Sequence, residues 1–205
     1  MPARRAGLVA LVLAGLSGIS QSAAAGDPET AVDTSWIDFD ALDAGEIVYE
    51  LGKGEPGVVI IDVAVLIHAD RRIIWDLLKN CEIAPEYVPN VVACRRINEV
   101  NDGASELFVQ TVKPAFFIPR FEHVFRLDYF PYDRIEVHRV SGPIEEMDGA
   151  WRLLARPDGA IVLIHSLRLQ PGFPIPRVFV RATLKKDLPI VLAAIRDRAE
   201  AASRN

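Results

Sequence analysis

The sequence predicts an α+β domain in which one curved antiparallel sheet of about seven strands is covered by a single long C-terminal helix. Three observations predict it. Between residues 91 and 170 six strand-like runs follow one another, separated mostly by turn signals of two or three residues, and connections that short force antiparallel hairpins. From Arg177 to about Ala202 the apolar residues change to steps of three and four, the spacing of one helix face. Of the 205 residues, 50% are hydrophobic and 25% charged, which suits one globular core and argues against disorder.

Residues 1–25 stand apart from that domain. Arg4 and Arg5 precede an apolar run from Ala6 to Ile19, and Ser22-Ala23-Ala24-Ala25 follows with the small residues of a cleavage site. This is the three-part pattern of a secretory signal peptide, and the run is short for a spanning helix, which needs roughly 20 apolar residues. The mature chain is therefore expected to be exported, to a periplasm. Loss of Arg4 and Arg5, with no acidic residue lost, moves the formal net charge from −5 to −7. A chain that acidic has no electrostatic footprint for nucleic acid.

Residues 26–45, with Trp36, Phe39 and Leu42 as their large apolar side chains, read as a polar, acidic leader that docks loosely on the domain, and residues 46–205 read as the domain itself. Runs rich in Val and Ile at 46–51 and 57–68 are strands, joined by the turn Lys53-Gly54-Glu55-Pro56-Gly57. Asp70 is placed to cap a helix over 71–79, where Ile74, Trp75, Leu77 and Leu78 keep helical spacing. A second short helix is expected over 83–87, ending before Pro89. The later strands are expected at 91–100, 104–113, 120–130, 134–142, 145–156 and 160–170. Asn101-Asp102-Gly103, Pro131-Tyr132-Asp133, Gly142-Pro143 and Pro157-Asp158-Gly159 supply the turn chemistry between them. Pro189 falls inside the terminal helix and is expected to kink it. A strongly curved sheet cannot close everywhere on one helix, so this architecture predicts a pocket between the two. Cys81 and Cys94 either form a disulfide, worth ~3 kcal/mol for a loop of that length, or remain two buried thiols.

Several segments carry a family resemblance. Val65-Leu66-Ile67-His68-Ala69-Asp70 leading to Ile74-Trp75-Asp76-Leu77-Leu78 is similar to the first strand and helix of START-like polyketide cyclase/dehydrase and coenzyme Q-binding proteins, the SRPBCC superfamily. Pro85-Glu86-Tyr87-Val88-Pro89-Asn90-Val91 resembles the same family. So do Gly142-Pro143-Ile144 with Gly149-Ala150-Trp151-Arg152-Leu153, Pro174-Ile175-Pro176, and Lys186-Asp187-Leu188-Pro189. The resemblance spans roughly residues 46–202. It implies the helix-grip fold and non-covalent binding of a hydrophobic small molecule, such as a lipid, an isoprenoid quinone or a polyketide. It implies no metal and no cofactor, and it carries over no catalytic residue.

Strand alternation nominates the pocket wall. Phe121, His123, Phe125, Leu127 and Tyr129 share one face; Ile135, Val137 and Arg139 share another. Met147, Trp151 and Leu153 form a third such face, and Ile161, Leu163, His165, Leu167 and Leu169 a fourth. The candidate ligand-binding residues are thus His123, Phe125, Tyr129, Arg139, Trp151, Leu163 and His165, with Leu184 and Leu188 from the helix. His123, Arg139 and His165 are the polar groups on an otherwise apolar face. Either they orient a polar group of the ligand, or the histidines are hydrogen-bonded into the core and the arginine reaches past a strand edge. Two connections at one end of the sheet, residues 114–119 and 171–176, are apolar and stiffened by proline. Phe116, Phe117, Ile118, Phe173 and Ile175 there either form a cavity mouth, with transient membrane contact, or cap the end of the core.

No Cys-x-x-Cys, no Gly-x-Ser-x-Gly and no inward pair of carboxylates occurs, so neither a metal centre nor a nucleophile is expected. The reading that follows is a monomeric binder or carrier of a hydrophobic small molecule. A cyclase or dehydratase using His123, Arg139 or His165 is the first alternative. A protein-interaction module using the Phe-rich loops is the second.

Overall fold

A computed structural model describes residues 32–100, 102–114 and 118–204. The leader pattern of residues 1–25 and the mouth residues Phe116 and Phe117 lie outside the described residues. The unit that begins at Thr34 is built on eight strands. They are β1 (Val48–Gly52), β2 (Val59–Ile67), β3 (Val91–Val100), β4 (Ser105–Val112), β5 (Phe121–Phe130), β6 (Arg134–Ser141), β7 (Ile144–Ala155) and β8 (Ile161–Pro171). Their order across the sheet is β1-β2-β8-β7-β6-β5-β4-β3, every neighbour antiparallel. The eight correspond to the two early and six later runs read from the sequence, one more than the rounded seven, and β1 is an edge strand paired with β2 from Val48↔Ala64 to Gly52↔Ile60.

Three α-helices accompany the sheet: α1 (Phe39–Asp43), α2 (Arg71–Lys79) and α3 (Arg177–Ser203). Within the expected polar leader, α1 forms because the Asp38 carboxylate accepts from the Ala41 backbone N–H at 3.0 Å. Leu42 is fully buried, Asp43 pairs with Arg156, and Arg196 donates to the Gly45 carbonyl at 2.9 Å. The end of the leader is therefore fixed to the domain. Asp70 caps α2 as its sequence position suggests, accepting from the Arg72 N–H at 2.7 Å.

Where a second short helix was expected over 83–87, a 3₁₀ helix runs from Cys81 to Glu86 with Pro85 inside it. Proline has no N–H to continue an α-helical ladder, and a tighter turn tolerates that. Cys81, at its start, is joined by a disulfide to Cys94 on β3, with the Cα atoms 5.6 Å apart. Of the two arrangements open to these cysteines, the cross-link is the one present.

Sheet curvature is helped by Gly149 on β7, where a Cβ would sit 2.6 Å from the Ser166 carbonyl oxygen on β8. The long helix covers only part of the concave face. Its buried residues are Leu188, Val191, Leu192, Ile195 and Ala199, none of them in the first three turns, and the helix packs on β2 and α2. The N-terminal half, with Val178 67% and Phe179 59% exposed, stands away from the sheet. Pro189 lies where the two halves meet and leaves the Lys185 carbonyl without its usual helical donor. Half a helix packed and half a helix raised is what leaves room for a site.

Candidate functional site

The raised half of α3, the 3₁₀ helix and the inner faces of β4, β5, β7 and β8 enclose a cavity of about 560 Å³. That lies within the size range of small-molecule pockets. His123, Phe125, Trp151 and His165 line it from the sheet, and Leu184 and Leu188 line it from α3. Ile118, Phe173 and Ile175 stand at one end, joined by Phe179 from the first turn of the helix. Phe121 packs against Phe173, ring centroids 5.7 Å apart, so the 171–176 connection closes directly on β5.

Three candidate wall residues lie elsewhere. Leu163 is fully buried beside Leu153 and Val65, in the packed core rather than the cavity. Tyr129 is on the expected face of β5 but near its far end, where α2 fills the space. Its ring meets Trp75 edge-on at 6.0 Å, and its hydroxyl donates to the buried Glu106 carboxylate. Burial and that hydrogen bond push the Tyr129 phenol above its ordinary range. Arg139 keeps the register of the inward face, opposite Phe125, but is exposed near the end of β6, just before the β5–β6 pairing becomes irregular. Its guanidinium donates to the Ile144 carbonyl and, at 3.0 Å, to the Gly142 carbonyl, clamping the β6–β7 turn.

The two histidines differ in their surroundings. His123 is the register partner of Gln110 on β4, and its Nε2 donates to the Gln110 Oε1 at 3.0 Å. Nδ1 of the same ring is buried without a partner among the described residues. The tight β6–β7 turn presses on this residue. Gly142 has a φ of 116°, and a Cβ there would lie 2.7 Å from the His123 Cβ. His165 is the register partner of Trp151, and their rings stack with centroids 3.7 Å apart. Its Nδ1 faces the Ala150 carbonyl at 3.3 Å. Burial pushes both imidazoles down to about 4, against a small opposing effect of the Ala150 carbonyl at His165. Both rings are therefore neutral near pH 7.

Sequence reasoning missed Gln110. The inward face of β4 carries Glu106, Phe108 and Gln110, while Leu107 and Val109 make the opposite face just as apolar, so alternation gave this strand no phase. It also missed Asn90, which has a φ of 68° and donates to the Asp187 carboxylate at 2.9 Å beside the cavity. Burial raises the Asp187 carboxyl. No Lys or Arg side chain is among the described residues that line the cavity. On the outer face of the sheet Asp128, Glu136 and His138 bring one ligand atom each within 4.8 Å of the others. Arg126 and Arg134 already pair the two carboxylates there, at 2.8 and 2.9 Å.

A family model described as polyketide cyclase / dehydrase and lipid transport matches residues 67–196. Solved structures with the same fold include a START superfamily protein from Mycobacterium smegmatis, with 16% identity and a TM-score of 0.60, covering 70% of this chain and 98% of that one. A STAR-related lipid transfer protein from Xanthomonas axonopodis has 16% identity and a TM-score of 0.59, covering 77% of this chain and 99% of that one. The Zhui aromatase/cyclase from Streptomyces sp. R1128 has 13% identity and a TM-score of 0.56, covering 72% and 94%. At such identities the likeness speaks for the fold. No curated protein matches the chain.

Proposed function

The chain belongs to the polyketide cyclase/dehydrase and lipid transport family, and from that premise we propose that it carries one hydrophobic small molecule, held without covalent bonds between α3 and the sheet. The observation that carries this reading is the cavity of about 560 Å³, whose wall is apolar apart from a few neutral polar groups and Asp187. An empty apolar space of that size forgoes the contacts that packing would supply, and an apolar guest restores them. Val178 and Phe179 stand exposed beside the mouth, where they suit contact with a membrane during transfer. A cyclase-type activity is favoured only by the two cavity histidines. At a pKa of about 4 each can accept a proton near pH 7 but has none to give as an acid.

The same reading has residues 1–25 removed on export. The Cys81–Cys94 disulfide supports it, because such bonds persist in oxidising compartments. One experiment addresses both points. Mass spectrometry of the natively purified exported protein is expected to find a chain starting at Gly26, together with an organic molecule that solvent extraction releases. A chain that retains Met1 would remove the export claim. An extract with no bound molecule, from protein that also takes up no neutral apolar dye, would remove the carrier claim.

A further inference from the structure

Granted the carrier reading, we infer that the cavity selects a neutral ligand with a hydroxyl group, which donates its proton to Nε2 of His165, over ligands whose polar end only accepts hydrogen bonds or bears a negative charge. The tautomer comes first. A backbone carbonyl can only accept, so the nitrogen facing Ala150 at 3.3 Å is the protonated one, and Nε2 is left with a bare lone pair. The Trp151 ring lies flat against the imidazole at 3.7 Å, and an imidazole turned over within that stack would lose the Ala150 carbonyl as its acceptor. Nε2 has no hydrogen-bond partner among the described residues, and it is not one of the buried orphan atoms. It sits on a residue that lines the cavity.

Position matters as well. His165 lies six residues before Pro171 at the mouth end of β8, which is about 20 Å of strand. The wall around it is Trp151, Leu167 and Met147. A ligand that leaves Nε2 unpaired keeps a desolvated acceptor in an apolar wall, whereas a hydroxyl satisfies it. His123, nearer the mouth, offers no such open acceptor, since its Nε2 is given to Gln110 and its Nδ1 is buried out of a ligand's reach. An anionic end group meets the reverse situation. No Lys or Arg lines the cavity among the described residues, and the carboxylate present, Asp187, would repel it. One open neutral acceptor and no cation make a pocket for an alcohol or a phenol-type hydroxyl on an apolar body.

The test compares lauryl alcohol, its methyl ether and laurate as competitors for a neutral fluorescent dye bound to the exported chain, at concentrations below micelle formation. The alcohol is expected to bind about three- to tenfold more tightly than the ether, the worth of one net hydrogen bond, with laurate weakest. In His165→Phe, which keeps an aromatic ring on Trp151, the alcohol and ether are expected to become equal. Equal affinities in the unaltered chain, or laurate as the tightest of the three, would overturn the inference while leaving the carrier reading intact. Failure of all three to displace the dye, with no dye uptake, would instead remove the carrier reading. The ranking in the unaltered chain decides the matter even where the variant does not fold.

Discussion

The chemistry of the cavity turns on a few side chains held by their strand partners. His165 and Trp151 are paired across β7 and β8, and His123 and Gln110 across β4 and β5. Keeping both imidazoles neutral has a consequence for stability. In an unfolded chain an imidazole titrates near 6.5, whereas burial holds these two at about 4. Between those values the unfolded state binds more protons than the folded one, so folding weakens as pH falls through that window and is fully supported above it. Each ring contributes on the order of 3 kcal/mol to that loss. Glu106 acts in the same direction at lower pH. Although its burial opposes the effect, hydrogen bonds from Tyr129 and Arg96 hold its carboxyl below the ordinary range. Thermal melts from pH 7 to pH 4 are expected to show a steep fall in Tm, flattened in His165→Phe. An equal slope in that variant would mean that His165 is already charged or solvated in the fold.

At the scale of elements, the disulfide decides how the cavity is walled. Cys81 begins the 3₁₀ helix, whose Ala84 lines the cavity together with Tyr87, Val88 and Asn90 just beyond it. Cys94 lies on the edge strand β3, so the bond ties a short wall element to the sheet. Cys81→Ser/Cys94→Ser is expected to lower stability by about 3 kcal/mol through the freed unfolded chain. It is also expected to weaken uptake of a neutral dye severalfold, as residues 81–90 loosen. Urea melts and dye titrations check the two effects separately, and dye affinity unchanged beside lowered stability would show the wall standing without its staple. The elements themselves were largely readable from sequence, because β5 alternates cleanly from Phe121 to Tyr129 and α3 keeps its three-and-four spacing. What alternation reports is the face of a strand, not the distance along it that a helix covers. Tyr129 packs against Trp75 of α2 and Leu163 lies in the core between its strand partners, both beyond the cavity, and Arg139 reaches away to the β6–β7 turn. Gln110 stayed hidden because both faces of β4 are apolar.

For the molecule as a whole, the proposed carrier role needs a surface for transfer, and exposed apolar side chains stand beside the cavity mouth. Val178 and Phe179 are exposed on the first turn of α3, next to Phe173 and Ile175 at the mouth. Arg181 lies beside them on the same helix, while the Arg177 guanidinium is partly buried and donates to the Gly54 carbonyl. Apolar side chains that reach the acyl boundary are worth about 0.8 kcal/mol per buried CH₂, and each basic residue about 1 kcal/mol near an anionic surface. That is enough for a brief encounter and too little for stable residence. Among the described residues no helix is long and apolar enough to cross a bilayer. Val178→Ser/Phe179→Ser should therefore slow the transfer of a bound neutral dye to anionic vesicles several-fold, by more than any loss of affinity in solution caused at Phe179, which also lines the cavity. Stopped-flow transfer read against vesicle concentration separates the routes. A rate that rises with vesicle concentration in the unaltered chain, and loses that dependence in the variant, is the expected result. A rate independent of vesicles in both would mean that ligand leaves through water and that the exposed pair has no part in transfer.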